Sequence, residues 1–191
     1  YDAPAFESPA SGMFEFATVY PIDVDSSVSR DEEGDLVGHI EVPANAVKYD
    51  SGSRKWVEVG PDVTSFSKGT YGLREGKFHH GIPVSMVDFI YASAFAEDWS
   101  TEDYEGDPYY SRAYASYVGG AKVGVGTVYD FENNQITSYF DFQFPADENR
   151  VAGRGAPSFS TSANAGIGVS WEISEALARM VVNGGASGEK Y

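Results

Sequence analysis

Hydrophobic and polar positions alternate most plainly between Gly119 and Phe144. In the first run Val123, Val125, Thr127, Tyr129 and Phe131 share one side, and Gly124, Gly126, Val128 and Asp130 share the other. In the second, Ile136, Ser138, Phe140, Phe142 and Phe144 oppose Thr137, Tyr139, Asp141 and Gln143. A period of two is the signature of a strand. Glu132-Asn133-Asn134-Gln135 between the runs is turn chemistry, because Asn tolerates positive φ. The stretch predicts a β-hairpin, and a hairpin needs a sheet to join.

The rest of the chain supplies partners. Residues 1–12 carry Pro4 and Pro9 among small residues and read as an extended N-terminal arm. Met13 to Tyr20 alternates as a strand, with Pro21 marking an edge or bulge. Asp23 to Asp35 reads as an exposed acidic loop. Leu36 to Val42 and Ala46 to Tyr49 read as strands, and Asp50-Ser51-Gly52-Ser53 turns the second into Arg54 to Val59 as another hairpin. From Val63 to Gly81, four spaced glycines predict a long connection or short edge strands. Ile82 to Ala96 is the most apolar part; its β-branched and aromatic residues favour a strand over Val84 to Tyr91 against a competing amphipathic helix. Glu97 to Tyr110 is a second acidic loop, Arg112 to Val118 a strand, Pro145 to Ser162 a surface loop, and Ala165 to Ile173 a further strand. Ser174 to Gly184 offers a helix, with a Ser cap and a Gly stop, although Leu177, Arg179 and Val181 also fit a final strand. Residues 184–191 read as a flexible tail. The expected class is all-β, an antiparallel sandwich or jelly roll over residues 13–183, with long acidic loops and at most one short C-terminal helix.

Composition narrows the function classes. The 191 residues suffice for one well-buried core. Without Cys there are no disulfides, thiolate metal sites or Cys nucleophiles. The 29 acidic residues outnumber 13 basic ones for a formal net charge of -16. The few cations are scattered, so nucleic acid is not expected as a direct partner. So acidic a surface suits a protein kept soluble by self-repulsion, a calcium-rich exterior, or a high-salt environment that screens the repulsion, and the Lys-poor balance leans to the last. No apolar stretch is long and uncharged enough for a transmembrane helix. The chain begins with Tyr, not Met, which leaves its N-terminus either processed or preceded by further residues.

Candidate chemistry is sparse. His79-His80 would point to opposite faces of a strand, and with His39 they supply no recognisable metal spacing. Asp23, Asp25 and Ser27 open like a calcium loop, but Val28 stands where Gly is required and Gly34 where the bidentate Glu belongs. The second acidic loop fails similarly. An irregular calcium site built from Asp23, Asp25, Asp98 and Glu102 stays open as an expectation, since loops can converge carboxylates without a linear motif. The glycines of 119–126 lack the Gly-Lys-Ser/Thr ending of a phosphate loop, no Gly-x-Ser-x-Gly elbow exists, and the many acids make any catalytic carboxylate pair arbitrary. Aromatic residues gather at the second acidic loop: Trp99, Tyr104, Tyr109 and Tyr110, with Tyr114 and Tyr117 just beyond. Rings beside carboxylates anchor protein interfaces and also make sugar-binding surfaces.

The run NQITSYFDFQFP over 134–145, together with GMFEFATVYPIDV and GDLVGHIEVP, resembles strands of single jelly-roll virus capsid proteins. The resemblance implies a structural subunit, and the lack of a basic arm implies a membrane-lined or halophilic virus whose coat does not touch nucleic acid. No catalytic residue carries over. The leading expectation is a non-enzymatic, self-assembling coat or surface protein in a virion or at a cell surface, with copies of itself and other assembly subunits as partners. Its rivals are a secreted glycan-binding module, calcium-dependent or not, and a small outer-membrane β-barrel.

Overall fold

The computed structural model describes residues 4–118, 123–144, 146–159, 161 and 168–184. The elements among them are β1 (Ala5–Glu7), β2 (Phe14–Phe16), β3 (Val19–Ser26), β4 (Val28–Arg30), β5 (Leu36–Gly38), β6 (Ile40–Glu41), β7 (Val47–Asp50), β8 (Lys55–Glu58), β9 (Thr64–Ser65), β10 (Ser67–Leu73), α1 (Met86–Ser100), α2 (Arg112–Val118), β11 (Gly124–Asp130), β12 (Gln135–Phe140), α3 (Glu148–Gly155) and α4 (Trp171–Asn183). Six strands form one antiparallel sheet in the order β3-β10-β12-β11-β7-β8. β1-β2, β4-β5 and β6-β9 make three two-stranded pairs.

The predicted hairpin is the middle of that sheet. β11 and β12 pair from Asp130↔Gln135 to Gly124↔Phe140, with an irregularity at Gly124/Gly126. Asn134 takes φ 56 in the turn, and Asp130 accepts the Asn133 N–H at 3.0 Å. The second predicted hairpin is β7-β8, joined to β11 through Thr127↔Val47.

Register assigns the two faces, because directly paired residues share one. Tyr71, Ile136 and Tyr129 lie on the first face, where Val19, Leu73, Phe78, Phe159, and Met86 and Phe89 of α1 close over them. α3 joins this layer, its Ala152 carbonyl accepting the Tyr71 hydroxyl at 2.7 Å. Tyr139 and Val128 lie on the second face, under Val42, Ala46 and Val59.

The chain is sheet-rich, but four helices stand among the described residues where at most one short one was expected, and α1 and α3 cover the first face of the sheet. Three of these helices have local causes. Residues 86–91 of the expected strand open α1 instead, because Ser85 caps it: Asp88, three positions on, accepts the Ser85 N–H at 2.8 Å. Residues 112–118 form α2, not a strand; Ser111 Oγ accepts the Tyr114 N–H at 3.3 Å, and Ala113 and Ala115 favour helix. Residues 148–155, expected as loop, form α3 because Asp147 accepts the N–H groups of Asn149 and Arg150. The loop-like glycines of α3 serve packing. A Cβ on Gly153 would run into the Phe14 ring, and one on Gly155 into Phe140 and the Tyr71 hydroxyl.

The same cause makes 67–73 a central strand instead of a connection. Gly69 lies under the Tyr71 ring and Gly72 under Tyr20, so these glycines mark close ring-to-backbone contact and not looseness. The first acidic loop holds the end of β3 and the β4-β5 pair; Asp23 and Asp25 stand on an edge strand, where solvent and Lys68 meet them. The arm folds back as β1 on β2, tied to α3 by Arg150–Glu7 at 2.9 Å. The expected strand over 165–173 ends inside α4, which begins three residues before the predicted helix and stops at Gly184 with φ 79. Residues 119–122, 162–167, of which 165–167 belong to that expected strand, and 185–191 of the tail lie outside the described residues.

Candidate functional site

The aromatic segment singled out in the sequence is divided by the end of α1. Trp99 sits on the last helical turn, stacked on Phe95 at 5.2 Å and 16°, as an i, i+4 pair can be. Tyr114 of α2 meets Phe95 edge-on at 5.5 Å, and Tyr109 meets Trp99 edge-on at 6.3 Å. Trp99 and Tyr109 are therefore brought together, as mortar between α1, α2 and the loop joining them. Tyr104 is exposed to solvent and Tyr110 is half-buried, its N–H on the Asp107 carbonyl. The side chain of Tyr117 is outside the described set. Burial pushes the Tyr114 hydroxyl pKa up to about 12.

The β7-β8 turn docks against this stack. Arg54, at a left-handed φ of 53, lays its guanidinium 3.5 Å from the centre of the Tyr109 ring. Its Nη2 donates to Asp98 Oδ2 at 2.8 Å, and the Tyr49 hydroxyl donates to the same oxygen at 3.3 Å. Asp98 is buried, and that burial raises its pKa against the opposing pull of Arg54 and Tyr49. Ser51 adds a bond to Asp103 at 3.0 Å. On the far side of Asp98, Tyr91 donates to Glu175 of α4 at 2.9 Å, and burial raises the Tyr91 pKa well above the ordinary tyrosine range. The recess of about 190 Å³ between these groups joins α1, the β7-β8 turn and α4.

A wider cleft of about 480 Å³ opens beside it, between α1 and the β8-β7-β11 end of the first sheet face. Trp56 stands in its floor, with Tyr49 edge-on at 5.5 Å and Tyr129 edge-on at 5.8 Å. Lys48, Glu97 and Ser100 line its rim. A ring wall with a few polar groups at its edge suits a small polar ligand that has an apolar face. Burial pushes the Tyr129 hydroxyl up to about 12, while bonds to Ser93 and Thr127 oppose the shift.

α4 presents a third feature, which was not anticipated. Its inward positions are small, Ser174 at 3% exposure and Ala178 at 7%. Its large apolar side chains point out: Ile173 is 40% exposed, Met180 48% and Leu177 54%. Spacings of four and then three place these on one stripe, on a face that ordinary amphipathicity reserves for polar groups. The helix itself is expected from the sequence; which of its faces turns inward is set by the packing of Ser174 and Ala178.

The carboxylates nominated for calcium are not gathered. Asp23 and Asp25 lie on β3 at one edge of the sheet, with Asp23 paired to Lys68 at 2.9 Å. Asp98 meets Tyr49 of β7 near the opposite edge, and Glu102 follows α1 exposed. Among the described residues no three His, Asp or Glu side chains converge to hold a metal ion. His79 and His80 are exposed, and His80 stacks on Phe78 at 5.7 Å. No described helix is long and apolar enough to cross a membrane. No protein-family model matches the chain, and no curated protein matches it at a significant level.

Proposed function

We propose that the chain is a non-enzymatic structural subunit that assembles with copies of itself into a coat or comparable surface layer. The stripe of Ile173, Leu177 and Met180 carries this reading. Large side chains kept in water on a regular helix, while Ser174 and Ala178 take the inward positions, are the mark of a surface that another surface covers. The net charge of -16 then acts as the regulator, since copies repel one another until salt screens them. The likeness of residues 134–145, 12–24 and 34–43 to capsid strands supports a virion coat in particular, and it is also what supports counting the sheet as part of a jelly roll. Light scattering after size exclusion at low salt, at molar salt and with calcium is the test. Growth into a defined oligomer as salt rises is expected; a monomer under every condition contradicts the reading.

The cleft favours a second reading, glycan binding. The aromatic anchor is Trp56, flanked by Tyr49 and Tyr129, and not Trp99, which is committed to the internal stack. A glycan panel that quenches tryptophan emission in the native chain and leaves Trp56→Ala unchanged supports it. Silence across the panel removes it.

A further inference from the structure

The flank of the α4 stripe carries charges in an order that specifies its partner. Glu172 and Arg179 stand seven residues apart, two helical turns or about 10.5 Å, and both are exposed. They lie beside Ile173 and Met180 respectively, so the ridge reads Glu-Ile at its start and Arg-Met at its end. Ala176, exposed between them, is small enough to let a second helix approach.

We propose that two copies associate through α4 packed antiparallel across a twofold axis, so that Ile173, Leu177 and Met180 of each cover those of the other and each Arg179 meets Glu172 of the second copy. This rests on the self-assembly reading and names its contact. A twofold interface must be self-complementary. Opposite charges placed symmetrically about the middle of an apolar stripe meet that condition in the antiparallel arrangement. Packed parallel, the two charged flanks would fall on opposite sides of the seam, and neither Glu172 nor Arg179 would meet its opposite charge. Glu175 is already held within the subunit by Arg179 at 2.6 Å and by Tyr91, so Arg179 has an internal rest position from which it turns outward on association.

The test uses the full chain and sedimentation equilibrium at fixed salt, with the melting temperature of each variant as the check on folding. Glu172→Arg places Arg against Arg and is expected to weaken association roughly tenfold, although it lowers the net negative charge that otherwise opposes association. Arg179→Glu weakens it similarly. Mixing the two variants is expected to restore association, because the heterodimer again pairs Arg with Glu at both ends. Glu172→Arg associating as tightly as the native chain, or a mixture no tighter than either variant alone, overturns the twofold while leaving self-assembly in place. A native chain that never associates overturns both.

Discussion

α1 and α4 are packed against each other, yet they spend their side chains in opposite ways. α1 turns Met86, Phe89 and Ala92 inward, where Phe89 meets Phe159 at 5.5 Å inside the main cluster. α4 gives the interior only Ser174 and Ala178 and holds Ile173, Leu177 and Met180 in water. The link between them is largely polar: the buried Asp88 carboxylate accepts the Trp171 N–H at 3.0 Å and Tyr91 reaches Glu175, with the Tyr91 and Trp171 rings tilted together at 6.2 Å. Hydrophobic burial explains α1 within one subunit. It does not account for the outward stripe of α4, which is what the proposed association would cover.

This contrast can be broken most sharply at α1. Phe89→Ala removes a fully buried ring and is expected to cost about 3–5 kcal/mol of stability, with no specific loss of association in whatever remains folded. Urea unfolding alongside light scattering reads both quantities. A variant that kept its stability but no longer assembled would place the interface on α1.

Gly155→Ala comes next. A methyl group there has to displace Phe140 and Tyr71, and overpacking of this kind costs about 1–3 kcal/mol. The measurement is again urea unfolding. An unchanged midpoint would mean that α3 does not rest on the sheet as closely as described, and with it would fall the account of why these glycines are not loop residues.

The smallest expected effect is electrostatic and has opposite signs in the two regions. Burial holds the folded-state pKa of Asp98 above its unfolded value of about 4. Its contribution to stability is therefore complete below that value and is lost as pH rises through the folded pKa. Glu175 is the reverse case: the bond from Arg179 holds its pKa below the usual glutamate value, so its contribution is present above that value and lost as pH falls through the folded pKa. Against pH in the acid range, the stability of the native chain relative to Asp98→Asn should fall as pH rises. Relative to Glu175→Gln it should climb. Parallel slopes for the two variants would show that these carboxylates do not differ in environment.

The sequence displayed the hairpin 123–144 because alternation and turn chemistry are local. It displayed the β7-β8 hairpin for the same reason. It hid β10 and the packing side of α3 because their causes are distant, whereas the caps of α2 and α3 at Ser111 and Asp147 are local. Gly69, Gly72, Gly153 and Gly155 make room for rings, and of those four rings only Tyr71 is close by in the sequence. The α1 helix was concealed differently, since β-branched and aromatic residues outweighed a Ser85–Asp88 cap that was legible. For the site, the sequence brought out Trp99 and Tyr109, which do meet, but not that their faces are used internally. Arg54 could not be tied to Asp98 without the sheet that carries its turn across to α1.

The most direct test of the central claim is light scattering of Leu177→Asp beside the native chain, from low to molar salt. Leu177 is more than half exposed, so the substitution should shift folding stability by no more than about 0.5 kcal/mol. Native oligomers that grow with salt are expected, beside a variant that stays monomeric throughout. A Leu177→Asp chain that assembles as the native chain does would show that the outward face of α4 is not the surface on which the subunits meet.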